Sequence, residues 1–287
     1  MKTIIFPLDF SNGSPDGLNM ALILAQKTGA NVQMIRVIGK NIDNNNELLE
    51  KENQLAELKL EEILQKYKDG GNVNCTMYYT IKEDKIFSEI TDIADKFEDS
   101  VIVLSTHGES GLEEFFIGGN AYKIISHSKN PVITVRKSRI SSHIDKIVLP
   151  LDITFETCEK VPYTVALAKL FCSKIHLITI SSPHLKSIPS KLYKYTEQVC
   201  SYFWDHDIKY NVEHLQGGNF TDVILDYSES VNADLISIMT QQEMSVSNLF
   251  LGTYAHQMIN KSKIPVLSIP NYHLGYYAED LLFSQMT

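Results

Sequence analysis

Two hydrophobic periods alternate along the first half of the chain. Short apolar runs typical of buried strands are followed by segments in which apolar residues recur every three or four positions, as on one face of a helix. The predicted strands are Thr3–Leu8, Val32–Ile38, Val73–Thr80, Val101–Leu104 and Pro131–Val135. The predicted helices are Asp16–Lys27, Glu47–Lys68, Asp84–Phe97 and Ala121–Ser128. This βαβαβαβαβ order favours a parallel sheet with helices on both faces, because parallel strands need crossover connections.

The second half of the chain repeats the first. The segment Ile4–Asp9 (IIFPLD) returns as Ile147–Asp152 (IVLPLD), and Phe116–Ala121 (FIGGNA) returns as Phe250–Ala255 (FLGTYA). The offset falls from 143 positions at the start to 134 near the end, so the second copy is shorter by nine residues. Two copies predict two homologous domains rather than a solenoid. We place the domains at residues 1–138 and 143–270, with a tail at 271–287.

Composition and charge limit which partners the chain is expected to bind and in which cellular compartment it is expected to occur. With 287 residues and 44% hydrophobic residues, the chain can bury sizeable cores. A formal net charge of -9 argues against nucleic acid or an anionic membrane as the main partner, but not against a phosphate held by backbone amides. The four cysteines form no CxxC pair, and neither a signal peptide nor a membrane-length apolar run is evident. These features predict a cytoplasmic protein with free thiols.

Candidate chemistry gathers where the predicted strands end. Asp9 follows the first strand, Val37 lies at the end of the second, and the segment Ser105–Gly108 follows the fourth. Ligands of parallel sheets sit outside the carboxyl ends of the strands, where the connection direction reverses. The pair Gly118-Gly119 precedes a predicted helix and suggests backbone amides that hold an anion. A flexible strand-to-helix loop explains the same glycines equally well.

With the repeat, these residues resemble the universal stress protein family in tandem form, over about Met1–Pro270. Nucleotide-binding members of that family carry G-x2-G-x9-G-[ST] after the fourth strand and an aspartate after the first. Asp9 matches the aspartate, and Gly108 and Gly118 match the second and third glycines. His107 stands where the family often has His or Arg, and Val37 matches the position whose backbone meets adenine.

The resemblance implies that each domain is an open, five-stranded parallel sheet of the adenine-nucleotide α-hydrolase-like type. It also implies that the first domain binds ATP or a related adenine nucleotide, with Mg²⁺ as a possible companion. The implied nucleotide-binding residues are Leu8, Asp9, Val37, Ser105, His107, Gly108, Gly118, Gly119 and Asn120. The resemblance further implies an intrachain pseudo-dimer of the two domains through Pro131–Val135 and Pro265–Ile269, and leaves a homodimer of chains open.

Two residues of the first domain depart from the family pattern. Ser105 replaces the first glycine, at a cost of about 1 kcal/mol if that position needs a left-handed backbone. Gly119 replaces the Ser/Thr, which removes a hydroxyl whose hydrogen bond contributes roughly 1 kcal/mol. Asn120 either substitutes for that hydroxyl or caps the helix that follows, and the cap is the favoured interpretation.

The second domain departs further, and we expect its site to be degenerate. Its equivalent segment, Met239–Gln242, has lost both early glycines, and Gln242 puts a long side chain where a phosphate would approach the backbone. Asp152, Gly252 and Thr253 remain. We favour Asp152 as a strand-end turn residue and Thr253 as a helix cap, so at most one nucleotide is expected per chain.

Known catalytic motifs are missing from the sequence. GxxxxGK[ST], GxSxG and HExxH do not occur, and the nine histidines are not spaced as a metal cluster. His206 and His214 are interpreted as ordinary surface or core residues. The sequence therefore predicts a regulatory, nucleotide-binding stress protein with at most slow, incidental ATP hydrolysis. The alternative is an interaction protein of the same family that binds no nucleotide and acts through dimer surfaces.

Overall fold

The computed structural model describes residues 1–39, 46–69, 75–106, 118–136, 140–152, 155–181, 190–240, 242–245, 248–251 and 253–270. The chain divides into two units, Met1–Lys137 and Ser138–Thr287. The tail at 271–287 lies outside the described residues.

The first unit alternates strands and helices as the hydrophobic periods predict. Its described elements are β1 (Thr3–Pro7), α1 (Ser14–Thr28), β2 (Asn31–Ile38), α2 (Asn46–Asp69), β3 (Met77–Glu83), α3 (Ile86–Ala94), β4 (Ser100–Ser105), α4 (Gly119–His127) and β5 (Val132–Val135). Neighbouring strands pair in parallel in the order β3-β2-β1-β4-β5. Right-handed crossovers with this strand order place α1 and α2 on one face of the sheet and α3 and α4 on the other.

The second unit has the same parallel order, β8-β7-β6-β9-β12. Its described elements are β6 (Lys146–Leu151), a 3-10 turn (Phe155–Cys158), α5 (Val161–Phe171), β7 (Lys174–Ser181), α6 (Ser190–Asp205), β8 (Tyr210–Gln216), α7 (Phe220–Ser230), β9 (Leu235–Thr240), β10 (Gln242–Ser245), β11 (Asn248–Leu251), α8 (Thr253–Lys261) and β12 (Val266–Pro270). The predicted fold class, two tandem domains with five-stranded parallel sheets, is confirmed. The antiparallel pair of β10 and β11 was not predicted.

α1 begins earlier and β3 ends later than the sequence predicted, because the additional residues suit the same helix or strand. α1 begins at Ser14 rather than Asp16, because Pro15 suits the first turn of a helix, where its missing N–H is not needed. It ends at Gly29, whose φ of 69° is left-handed and whose N–H donates to Ala25 O. β3 continues past Thr80 to Glu83, because these residues pair with the carboxyl end of β2.

The centre of the first sheet is apolar on both faces. Ile4, Ile5 and Phe6 of β1 and the run Val101–Val103 of β4 are fully buried. Central strands of a parallel sheet are covered by helices on both sides, which explains why they read as continuous apolar runs instead of alternating ones. The burial of β1 and β4 fixes the position of their carboxyl ends, where the polar residues begin.

A glycine brings α1 against these central strands. A Cβ atom at Gly17 would overlap Ser105 Oγ and would lie 2.7 Å from the ring of Phe6, which is fully buried. Ser105 Oγ in turn donates a hydrogen bond of 2.9 Å to Gly13 O, at the N-terminus of α1. The absence of a side chain at Gly17 therefore sets the distance between α1 and the ends of β1 and β4.

We expect Gly17→Ala to destabilise the protein by about 1–3 kcal/mol, although alanine favours helix by about 1 kcal/mol over glycine. The new methyl group would displace the Ser105 hydroxyl and press on the Phe6 ring. Urea denaturation measures the effect. Gly39→Ala is the matched control, because nothing lies within 4 Å of its added Cβ, and it should change stability little. Equal stability of the two variants would contradict the close approach.

Candidate functional site

The connection direction of the first sheet reverses between β1 and β4. From β1 the chain crosses to β2 on one side, and after β3 it returns to β4 on the other side. Such a reversal opens a crevice at the carboxyl ends of the two central strands. A pocket of about 170 Å³ lies there. Its wall is mostly apolar, formed by Pro7, Leu8, Ile35, Val37, Ile86, Ile90, Leu104, Ala121 and Ile124, and its polar members are Asp9, Arg36, Ser105, Thr106, Gly118, Gly119 and Asn120.

The pocket brings together residues that the sequence analysis selected from four separate segments. The predicted site residues that line it are Leu8, Asp9, Val37, Ser105, Gly118, Gly119 and Asn120. The other two, His107 and Gly108, lie outside the described residues. The pocket is therefore described at its β1, β2 and β4 edges and at the start of α4.

One oxygen of the Asp9 carboxylate is held by the loop that follows β1. Oδ1 accepts a hydrogen bond of 2.9 Å from Ser11 N and one of 2.8 Å from Ser14 Oγ. The described residues supply no partner for Oδ2, and the side chain is exposed. Within the described part of the chain, the loop therefore fixes the orientation of the carboxylate and leaves its second oxygen available as a hydrogen-bond acceptor.

Ser105 occupies an ordinary strand position. It pairs with Val135 as the last residue of β4, and it is not among the non-glycine residues with positive φ. Its hydroxyl points to Gly13 O and helps to hold the start of α1. The serine in place of a glycine thus causes no backbone strain here, and the cost considered for a left-handed backbone does not arise.

The N-terminus of α4 opens on the pocket without a side-chain cap. The N-cap residue is Gly118, with φ -58° and ψ 145°, and no acidic residue lies in the first turn. The prediction that Asn120 caps this helix is wrong, because the helix begins at Gly119 and Asn120 lies within its first turn. A Cβ at Gly118 or Gly119 would meet no atom of the described residues within 4 Å, so these residues leave open space beside the amides.

The apolar side of the pocket includes residues that the sequence analysis did not select. Ile86 and Ile90 come from α3, and Ile124 comes from α4. The helical period had placed Ile86 and Ile90 on one apolar stripe of the predicted third helix, which was the available signal. The period alone does not show that the start of this stripe borders a pocket.

In the second unit, a buried lysine lies beside the residue equivalent to Asp9. Lys160 is 3% exposed, and its Nζ donates to Thr157 O at 2.7 Å and to Thr157 Oγ1 at 3.1 Å. Thr157 Oγ1 also accepts a hydrogen bond of 3.1 Å from Asp152 N. Burial lowers the pKa of Lys160 to about 8, and the charge of Asp152 partly opposes that shift. Sequence reasoning missed Lys160, because no motif marks it.

A tyrosine stands at the second-unit position equivalent to Asn120. Burial raises the pKa of the Tyr254 hydroxyl, and the negative charge of Asp152 raises it further. The backbone of Gln242 begins β10, and Thr253 begins α8. Gly252 and the side chains of Gln242 and Thr253 lie outside the described residues, so the interpretation of Thr253 as a cap stays a prediction.

The described residues offer neither a metal-binding cluster nor a membrane-spanning helix. They contain no group of three His, Cys, Asp or Glu side chains placed to hold a metal ion. Two histidines considered in the sequence have local partners: His206 stacks on Tyr202 with 4.0 Å between ring centroids, and His214 Nδ1 lies 2.8 Å from Thr179 Oγ1. Within the same residues, no helix is long and apolar enough to cross a bilayer.

The buried amine of Lys160 predicts a pH dependence of stability. Its pKa is about 8 in the folded chain, against an ordinary value of 10.5, so above pH 8 the unfolded chain binds more protons. The free energy of unfolding should then rise relative to Lys160→Met, by on the order of 1 kcal/mol between pH 8 and pH 9. Burial raises the pKa of Cys158 to about 11, which acts in the opposite direction above pH 9.

Urea denaturation of the wild type and of Lys160→Met at pH 7, 8 and 9 measures this difference. The exposed Lys169, on the same helix, supplies the control variant Lys169→Met, whose difference from the wild type should not change with pH. A Lys160→Met difference that is equally flat would show that the amine is hydrated in the folded chain.

Comparison with known proteins agrees with the repeat and the fold. The family model described as the universal stress protein family matches residues 1–136 and 204–270. A universal stress protein of Methanocaldococcus jannaschii is 27% identical over 148 residues, which cover 48% of this chain and 84% of that protein.

Solved structures match over nearly the whole chain. A universal stress protein from Archaeoglobus fulgidus matches with a TM-score of 0.76 and 19% identity, covering 94% of this chain and 98% of that one. A protein of unknown function from Pseudomonas aeruginosa matches with a TM-score of 0.70 and 15% identity, covering 96% and 94%. These likenesses show the fold, and the family model covers more than half of the chain. The chain therefore belongs to the universal stress protein family.

Proposed function

We propose that the first unit binds ATP or a related adenine nucleotide as a regulatory ligand, and that the chain acts in stress responses as a nucleotide-dependent binding protein. The observation that carries this proposal is the composition of the pocket between β1 and β4. It combines an apolar wall, one free carboxylate oxygen and an uncapped helix N-terminus. These features suit the base, the sugar and the phosphates of a nucleotide, respectively.

The base end of the ligand is assigned to the side of the pocket nearest β2. Val37 and Ile35 lie there, and Ile86 and Ile90 of α3 complete an apolar wall suited to a flat, weakly polar ring. Asp9 Oδ2 is available to accept a hydrogen bond from an adenine amine or a ribose hydroxyl. Because Oδ1 is already fixed by Ser11 and Ser14, little side-chain entropy is lost when Oδ2 binds.

The phosphate end is assigned to the start of α4. The amides of the first helical turn have no acceptor within the helix, and the helix dipole adds a partial positive charge at this end. Gly118 and Gly119 carry no side chains, so a phosphate oxygen can approach the amides closely. The mechanism proposed here is binding, because the described pocket residues include no lysine and no carboxylate apart from Asp9.

The second unit is proposed not to bind nucleotide. Its Lys160 ammonium is held on Thr157, which also accepts a hydrogen bond from Asp152 N, and the charge of Asp152 acts on both Lys160 and Tyr254. A base or ribose would have to displace these groups and leave a buried lysine without its partners, which is energetically costly. We therefore propose one nucleotide per chain, in the first unit.

The variant Gly119→Asp tests the phosphate end without disturbing the fold. Its Cβ enters open space, and an acidic residue in the first turn stabilises a helix, but its charge repels a phosphate. We expect Mg-ATP to raise the melting temperature of the wild type, by the equivalent of about 2.7 kcal/mol at 100 times the dissociation constant. Gly119→Asp should abolish that increase and leave the ligand-free melting temperature unchanged or higher.

The matched control for this experiment is Gly218→Asp in the second unit, where an added Cβ also meets nothing within 4 Å. It should retain the full response to Mg-ATP. An unchanged melting temperature of the wild type at millimolar ATP would contradict the proposed function and would favour the alternative, an interaction protein that binds no nucleotide.

Isothermal titration calorimetry of nucleotide-free protein with ATP should give one site per chain. Gly119→Asp should then remove all of the binding heat. The variant Tyr254→Asn, which restores the first-unit residue at the equivalent position, should leave the stoichiometry of the first unit unchanged. Two sites in the wild type, or binding heat that survives Gly119→Asp, would show that the second unit also binds.

A further inference from the structure

The long helix α2 carries leucines on the face that points away from its own sheet. It spans 24 residues, whereas α6, which follows the second strand of the other sheet, spans 16. The inner face of α2 is formed by Ala56 and Leu60, which are 4% and 0% exposed. The outer face holds Leu48, Leu55 and Leu58, which are 54%, 54% and 60% exposed. These leucines contribute little to the core of their own unit.

The exposed leucines follow the spacing of a coiled-coil seam. Leu48 and Leu55 are seven residues apart, and Leu58 follows three residues later. This is the alternation of a and d positions in a heptad. Continuing the same register adds Lys51, Glu62 and Gln65, all exposed, to a stripe that we call the outer seam (Leu48, Lys51, Leu55, Leu58, Glu62 and Gln65). On a single helix, the side chains of such a seam have no facing helix to pack against.

We propose that the outer seam of α2 pairs with the outer seam of a second copy of this chain, in antiparallel orientation. In an antiparallel pair whose twofold axis passes between Leu55 and Leu58, Leu55 of each copy lies opposite Leu58 of the other copy. The same register sets each Lys51 opposite position 62, a glutamate, so the two charges in the seam attract. A parallel pair would set Lys51 against Lys51 and Glu62 against Glu62, and like charges at a helix seam repel.

The charges that flank the seam agree with the antiparallel register. On one flank Glu47 comes opposite position 68, a lysine, and Gln54 comes opposite Glu61 without repulsion. On the other flank Glu52 comes opposite position 59, a lysine whose Nζ already lies 4.9 Å from the centroid of the Phe10 ring. A twofold axis repeats every pair, so each match counts twice. Exposed pairs contribute little affinity, but they select the register and the partner.

Because the outer seam complements its own inverted copy, its proposed partner is a second copy of this chain. An unrelated partner would need its own leucines and a charge order that mirrors α2, whereas an inverted copy of α2 supplies both. The interface is small, with three leucines from each seam and two ion pairs between the seams, so we expect a reversible dimer instead of an obligate one. The proposal does not depend on nucleotide binding, because the outer seam shares no residue with the pocket.

Sedimentation equilibrium of the full chain tests the proposal. The wild type should be a concentration-dependent dimer, and Leu55→Glu/Leu58→Glu should weaken dimerisation by at least about tenfold. Lys51→Glu should weaken it too, because it sets a glutamate opposite Glu62 at both ends of the seam, and the double swap Lys51→Glu/Glu62→Lys should restore it. Circular dichroism checks that each variant is folded. Leu170→Glu, at an exposed leucine of α5 that is 41% exposed, is the matched control and should not affect association.

Three results would overturn the proposal. A wild type that is monomeric at all attainable concentrations would exclude the dimer. A dimer that is unaffected by Leu55→Glu/Leu58→Glu would place the contact on another surface. Equal effects of Lys51→Glu alone and of the double swap would exclude the antiparallel register, because in a parallel pair each swap only exchanges one like-charge pair for another.

Discussion

The reversal of strand order between β1 and β4 is the constraint on which the proposed site depends. Since β2 lies on one side of β1 and β4 on the other, the loops that leave these strands diverge and cannot fill the space between them. β1 and β4 are buried except at their last residues, Pro7 and Ser105, which are half-buried and mark where the strands end. Asp9 follows β1, Ser105 ends β4, and α4 is the next helix after β4, so all three line the pocket at the same edge of the sheet.

The second sheet has the same strand order, and hence the same reversal between its central strands, but other polar groups accompany the residue equivalent to Asp9. The loop after β6 is longer than the loop after β1, and it carries Thr157 and Lys160 to the position beside Asp152. Keeping an ammonium in this place costs solvation, which is why the pKa of Lys160 falls to about 8. The hydrogen bonds to Thr157 and the charge of Asp152 offset part of that cost. The aspartate after the first strand is thus held by Ser11 and Ser14 in one copy and accompanied by a buried lysine in the other.

The sequence predicted most of the first unit because its central strands are buried on both faces and its helices on one, so the two hydrophobic periods remain distinct. It did not predict the pair of β10 and β11, since Val246-Ser247 between them is not a usual hairpin turn pair. It placed the start of α4 too late, because Gly118-Gly119 was interpreted as loop, whereas Gly119 is the first helical residue.

The least predictable part of the site was the set of side chains whose contacts depend on how separate segments of the chain pack together. Asp9 could be found because it follows a strand, but its Ser14 partner depends on how α1 approaches β1. The burial of Lys160 depends on the path of a loop that has no periodic signal. Tyr254 was visible in the repeat as the counterpart of Asn120, but only the fold shows that the charge of Asp152 acts on its hydroxyl.

The leucines of α2 are a different case, since neither the core nor helix propensity accounts for them. Ala56 and Leu60 complete the inner face, so the helix packs on its sheet without Leu48, Leu55 and Leu58. Leucine, glutamate and lysine have similar helix propensities, so charged residues at these positions would form the helix equally well. Exposed leucines keep apolar surface in water, which is unfavourable unless a partner covers it. Lys51 and Glu62 lie in the same seam as these leucines. Their order along the helix gives attractive charge pairs when the helix packs against an inverted copy of itself.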